Sequence, residues 1–66
     1  MQFNEKIKLL RPRNLTQKQV ADYVDVDEAT VSNWERGKSK PQYKHLIKLS
    51  DLYECKINDF FDGVEV

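Results

Sequence analysis

The chain is poor in the residues that staple, coordinate or kink a fold. It has one cysteine, Cys55, in 66 residues, so no intrachain disulfide framework is available. Its only histidine is His45, and no Cys/His spacing that would hold zinc occurs. Cys55 reads as a small apolar residue and His45 as a surface or packing residue of a helix. With two glycines in all, there is no glycine-rich loop to cradle phosphate. No apolar run approaches the roughly 20 residues of a membrane span. The opening MQFNEKIK lacks the apolar stretch of a secretory leader, so a cytoplasmic location is expected. No repeat or low-complexity segment occurs, and no nucleophile, base and orienting group fall at spacings that would bring them together. A non-enzyme with no catalytic residues, no metal, no cofactor and no small-molecule ligand is expected.

Net charge is missing too, with eleven basic and eleven acidic residues. Divided along the chain, the balance is uneven: residues 1–48 hold ten Lys/Arg against six Asp/Glu, a net +4, and residues 49–66 hold one against five, a net −4. A basic body with an acidic tail is a partner signal that the total conceals. The 39% hydrophobic and 33% charged content suits one small soluble domain over residues 1–66. A chain this short buries only about 60% of its unfolded surface, so it is marginally stable alone and gains from oligomerisation.

The richest stretch is LTQKQVADYVDVDEATVSNWERG, Leu15 to Gly37. Thr16 followed by Gln19 is a capping box, with Leu15 and Val20 placed to staple the helix entry. Asp27 is a second N-cap, with Val26 and Val31 as its staple pair. Val20, Ala21 and Val24 form one helical stripe, and Val31 and Trp34 another. The stripes can face each other, and the small Ala21 lets the helices approach closely. Trp34 therefore reads as core rather than as a base-stacking residue, and Glu35 as a structural polar contact. Gly37 closes the second helix at its C′ position. The unit at 16–36 is a helix-turn-helix. Around it, a first helix is expected from an Asn4 N-cap through Ile7 and Leu10, ended by Pro12. A fourth helix is expected to open with Pro41 at N1 and to bury Tyr43, Leu46, Ile47, Leu49, Ser50, Leu52 and Tyr53. A last short helix spans about Ile57 to Phe61.

Gln17, Val20-Ala21, Val26, Val31, Trp34-Glu35, Gly37 and Pro41 resemble the pattern of the lambda-repressor-like family, the phage repressor and Cro type of helix-turn-helix domain. The resemblance covers roughly Phe3 to Phe61. It implies an all-α, compact five-helix bundle, and a sequence-specific, dimeric DNA-binding transcriptional regulator of bacterial or phage type that acts as a repressor. Asp25 stands where the family usually has glycine, and it tolerates the left-handed turn better than most residues.

In this family the third helix enters the major groove with its N-terminal residues at the base edges. Carried over, that makes Glu28, Ala29, Thr30, Ser32 and Asn33 the candidate base readers. Asn33 leads, because a side-chain amide can bond adenine N6 and N7 together. Glu28 could accept from cytosine N4, or simply suit the helix dipole. Thr16, Gln17, Lys38 and Lys40 are the implied phosphate contacts. Arg13, Lys18, Arg36 and Lys44 read first as solvated surface. One helix reads few bases, so a homodimer on a palindromic double-stranded operator is expected, with Phe60, Phe61, Val64 and Val66 of the segment 57–66 as its surface. Asp25, Asp27 and Glu28 repel phosphate, which favours modest affinity per protomer. They also keep open a second reading, an antitoxin-like module of the same fold that holds another protein.

Overall fold

The computed structural model describes residues 1–65. It contains α1 (Phe3–Leu10), α2 (Gln17–Val24), α3 (Glu28–Arg36) and α4 (Tyr43–Tyr53), followed by a 3-10 turn at Ile57–Phe60. There is no strand among the described residues. The expected all-α, lambda-repressor-like architecture holds, with the fifth helix reduced to that single 3-10 turn.

The helix starts and stops follow from local chemistry, with some corrections. α1 is capped by Gln2 rather than Asn4. The Gln2 N–H donates to Glu5 Oε1 at 2.8 Å, which also sets a carboxylate in the first turn where the helix dipole favours it. Asn4 is thereby inside the helix and free for another task. α1 stops at Leu10 because Arg11, which precedes Pro12, is extended at φ −66°, ψ 121°. The Thr16 box forms as expected: the Gln19 N–H donates to Thr16 Oγ1 at 3.1 Å and the Thr16 N–H to Gln19 Oε1 at 2.8 Å. Asp25 takes the left-handed turn at φ 63°. Asp27 occupies the N-cap of α3, but its carboxylate makes no capping hydrogen bond. Pro41 is buried and stands two residues before α4, which starts behind an extended Gln42. It therefore serves packing rather than the N1 position.

Ile7, Val20, Ala21, Val24, Val31, Trp34, Leu46, Leu49, Tyr53 and Phe60 form the core. α2 packs on α3 and α4, α1 packs on α3, and the 3-10 turn closes the end formed by α1 and α4. Tyr43 and Ile47, expected inside, are exposed at 67% and 45%. Both lie about 90° or more around α4 from the centre of the Leu46, Leu49, Tyr53 stripe.

The C-terminal segment departs further from expectation. Phe60 is 0% exposed and its ring lies 6.3 Å from that of Tyr53, so it belongs to the protomer's core and not to a dimer surface. Phe61 is 51% exposed and rests on Phe3 with ring centroids 5.4 Å apart. Val64 is half-buried and Val66 lies outside the described residues. The chain ends meet: the Met1 amine is 3.2 Å from both Gly63 O and Glu65 Oε1, and the Glu65 N–H donates to Met1 O at 2.9 Å.

Two glycines allow a controlled comparison. Gly37 and Gly63 both have left-handed φ, 80° and 77°, a region that costs an L-residue about 1–2 kcal/mol. A Cβ at Gly37 would meet Asn4 Cγ at 3.1 Å, whereas one at Gly63 would meet nothing within 4 Å. Gly37→Ala should therefore lower unfolding free energy in urea by more than Gly63→Ala does. Equal losses would show that the Asn4 contact is slack.

Candidate nucleic-acid interface

Glu35 follows Trp34 and lies four residues after Val31, which turns it inward to only 5% exposure. An unpaired carboxylate there would be strongly destabilising. Arg11 answers it with Nε 2.8 Å from Oε2 and a second nitrogen 3.3 Å from Oε1, the two-pronged geometry that strengthens such pairs. The remaining guanidinium nitrogen donates to Leu15 O at 2.7 Å, pinning the α1–α2 link. Gln17 Nε2 donates to Glu35 Oε1 at 3.0 Å, and Asn4 Nδ2 to Glu35 O at 3.3 Å. One residue thus gathers α1, the link, the start of α2 and the end of α3. Burial, and secondarily the Glu35 charge, push the Tyr53 phenol well above its ordinary range.

With Val31 and Trp34 buried, the opposite side of α3 is presented outward. Glu28 and Ala29 are exposed there, while Thr30, Ser32 and Asn33 are half-buried. Thr16, Lys38 and Lys40 are also exposed. The Gln17–Glu35 bond sets the start of α2 beside the end of α3, whose continuation carries both lysines. Gln17 is half-buried, and one of its two amide N–H groups is taken by Glu35, which leaves the other for phosphate. The Gln19 amide of the first turn of α2 is taken by Thr16, while those of Gln17 and Lys18 have no intrahelical acceptor and remain available. Asp25, Asp27 and Glu28 are exposed, and neither ion pair found among the described residues involves them.

Asn33 is more engaged than its spacing suggested. Its Oδ1 accepts from Arg36 at 3.0 Å, and its carbonyl accepts from the amides of Lys38 at 2.9 Å and Ser39 at 3.4 Å. The same residue therefore anchors the lysine loop. Arg11, Asn4 and Arg36 are the contributors that sequence reasoning missed. Asn33 and Arg36 at i, i+3 were a visible pair, and Glu35 on an apolar stripe was a visible demand for a cation. Nothing in the spacing named Arg11 as the cation that meets it.

His45 packs on Trp34 at 5.3 Å and 41°, and its Nδ1 is buried without a hydrogen-bond partner. Burial first, then Lys44 and Lys48, hold its pKa below the ordinary value. Cys55 is half-buried against the core. Burial and then Asp59 raise the pKa of its thiol.

Two outcomes follow from these groups. Arg11→Ala, which leaves Glu35 buried and unpaired, should cost about 3–5 kcal/mol and remove most cooperative unfolding in urea. The double change Arg11→Met with Glu35→Leu should restore most of it, and failure to do so would show that the pair is needed for more than mutual neutralisation. For His45, the folded pKa lies below the unfolded 6.5, so the unfolded chain binds the proton more readily. Its contribution is therefore complete above pH 6.5 and lost as pH falls through that value toward the folded pKa. Thermal melts from pH 8 to pH 5 should show this decline, and His45→Phe should flatten it.

A helix-turn-helix family model matches residues 7–60. The chain is similar to the HTH-type transcriptional activator BcrR of Enterococcus faecalis, 37% identical over 67 aligned residues that span all of this chain and 33% of that protein. It is also similar to the HTH-type transcriptional regulator DicA of Escherichia coli K12, 38% identical over 55 residues covering 80% of this chain and 40% of that protein. It thus spans about a third to two fifths of these relatives. Among solved structures it resembles the P22 c2 repressor bound to a synthetic operator, with TM-score 0.84, 25% identity, and coverage of 96% of this chain and 97% of that one. The matched span, the identities to these regulators and the structural likeness place the chain in the lambda-repressor-like helix-turn-helix family.

Proposed function

We propose that the chain is a sequence-specific DNA-binding module of a transcriptional regulator, of repressor type, that acts by occupying an operator as a homodimer. The observation that carries this reading is the outward strip of α3, held opposite buried Val31 and Trp34 and flanked by the start of α2 and by Lys38 and Lys40. Glu28, Ala29, Thr30, Ser32 and Asn33 face base edges. Thr16, the first amides of α2, Lys38 and Lys40 hold phosphates, which sets register without reading sequence. The similarity to a repressor whose structure includes operator DNA supports the same arrangement.

The protomer measures 29 × 24 × 23 Å, less than the roughly 34 Å of one duplex turn that separates half-sites. One copy therefore covers one half-site, and a palindromic operator needs two. Phe61 and Val64 form the proposed contact between copies, with Phe60 beneath supporting them. Phe61→Asp should convert the dimer to monomer in sedimentation equilibrium, and an unchanged dimer would exclude this surface.

The free carboxylates of Asp25, Asp27 and Glu28 favour a second reading, in which this face of the fold holds another protein. Salt separates the two. Phosphate binding loses affinity along a log–log slope of about −0.9 per neutralised phosphate. Lys38→Ala and Lys40→Ala should each flatten that slope by about one, measured by fluorescence anisotropy on duplexes selected from a random pool. A pool that yields no palindromic consensus at low salt would overturn the regulator reading.

A further inference from the structure

The Arg36–Asn33 bond changes what α3 can read. An amide that recognises adenine must accept from N6 with its oxygen and donate to N7 with its nitrogen. Here Oδ1 of Asn33 already accepts from the Arg36 guanidinium at 3.0 Å. That uses one of the two lone pairs of the oxygen, and what the pair mainly offers outward is the amide N–H groups and the remaining guanidinium N–H groups, donors beside a fixed positive charge. Adenine would set its own N6 donor against that charge. Guanine presents N7 and O6, two acceptors at the same edge.

Arg36 is free for this work. It is exposed, and it takes no part in either ion pair found among the described residues. Asn33 is held from behind as well, because its carbonyl accepts the Lys38 and Ser39 amides. The residue is fixed at both its backbone and its side chain before any ligand arrives, and such fixing lowers the ordering cost of binding.

Resting on the reading of α3 as the base-contacting helix, we propose that Asn33 and Arg36 act as one donor-rich, positively charged unit that selects guanine, with Arg36 as the specificity-determining residue. Arg36 sets the base by taking one lone pair of the Asn33 oxygen and by placing its positive charge against the N6 donor that adenine would bring.

The test is selection of duplexes from a random pool by the wild-type chain, by Arg36→Ala, by Arg36→Gln and by Asn33→Ala, with circular dichroism melts as the folding control for these surface variants. Wild type should return a consensus with a guanine in each half-site, preferred over adenine by about five- to 150-fold. That position should lose its preference in Asn33→Ala. In Arg36→Ala the freed amide should turn it toward adenine, and Arg36→Gln, which lacks the fixed charge, should also relax it. Substituting 7-deazaguanine at the position should weaken wild type. A consensus with adenine at the Asn33-dependent position overturns the proposal while leaving the DNA reading intact. So does an Arg36→Ala variant with unaltered base preference whose affinity falls equally on every sequence, because that result makes Arg36 a phosphate contact. Absence of any consensus for wild type overturns the underlying reading, and this proposal with it.

Discussion

The fold is organised around a carboxylate that should not be comfortable where it is. Glu35 lies inside a small domain with little apolar surface to spare, and its charge is tolerated only because Arg11 meets it with two nitrogens. Once that pair exists, its spare donors and acceptors fix distant pieces of chain. Arg11 also holds the Leu15 carbonyl, Gln17 joins from the next helix, and Asn4 reaches the backbone of Glu35 itself. A well-packed apolar substitute could match the stability of such a pair. It could not supply four directional bonds that set the angle between α1, α2 and α3.

That angle decides the function proposed for the molecule. The outward strip of α3 has meaning only relative to the start of α2 and the loop after Gly37, since phosphates on one strand must be reached together with base edges in the groove. The three exposed carboxylates at the head of α3 work against this and tune affinity downward. In the dimer proposed above, a weak protomer would leave non-specific sites quickly. The acidic end of the chain is handled differently, with Glu65 taken up by the Met1 amine and Gln2.

What could be read in the sequence was whatever depends on neighbours in the chain. The Thr16–Gln19 box, the left-handed Asp25, the paired stripes and the inward Trp34 are all settled within one or two turns of helix, and each is found as expected. The features that could not be read depend on residues meeting across the fold. Arg11 and Glu35 are 24 positions apart, and Gln17 gives one amide N–H to Glu35 only because that pair stands beside it. Phe60 and Phe61 are adjacent and chemically identical, and only the tight 3-10 turn decides which one enters the core. The start of α1 was misplaced for a smaller reason: Asn is the stronger N-cap in general, but Gln2 has Glu5 at the reciprocal position and Asn4 is claimed by α3.

The meeting of the two chain ends has a topological consequence. Because Met1 and Glu65 are hydrogen-bonded to each other, a short peptide linking these two residues would close the described chain into a ring with little strain. A ring of this kind can be cut at an exposed loop such as 38–40 without separating elements that pack together. The order in which the helices are synthesised is thus separable from the order in which they pack. A second module tethered at either end would be held at the same high local concentration, set by linker length alone.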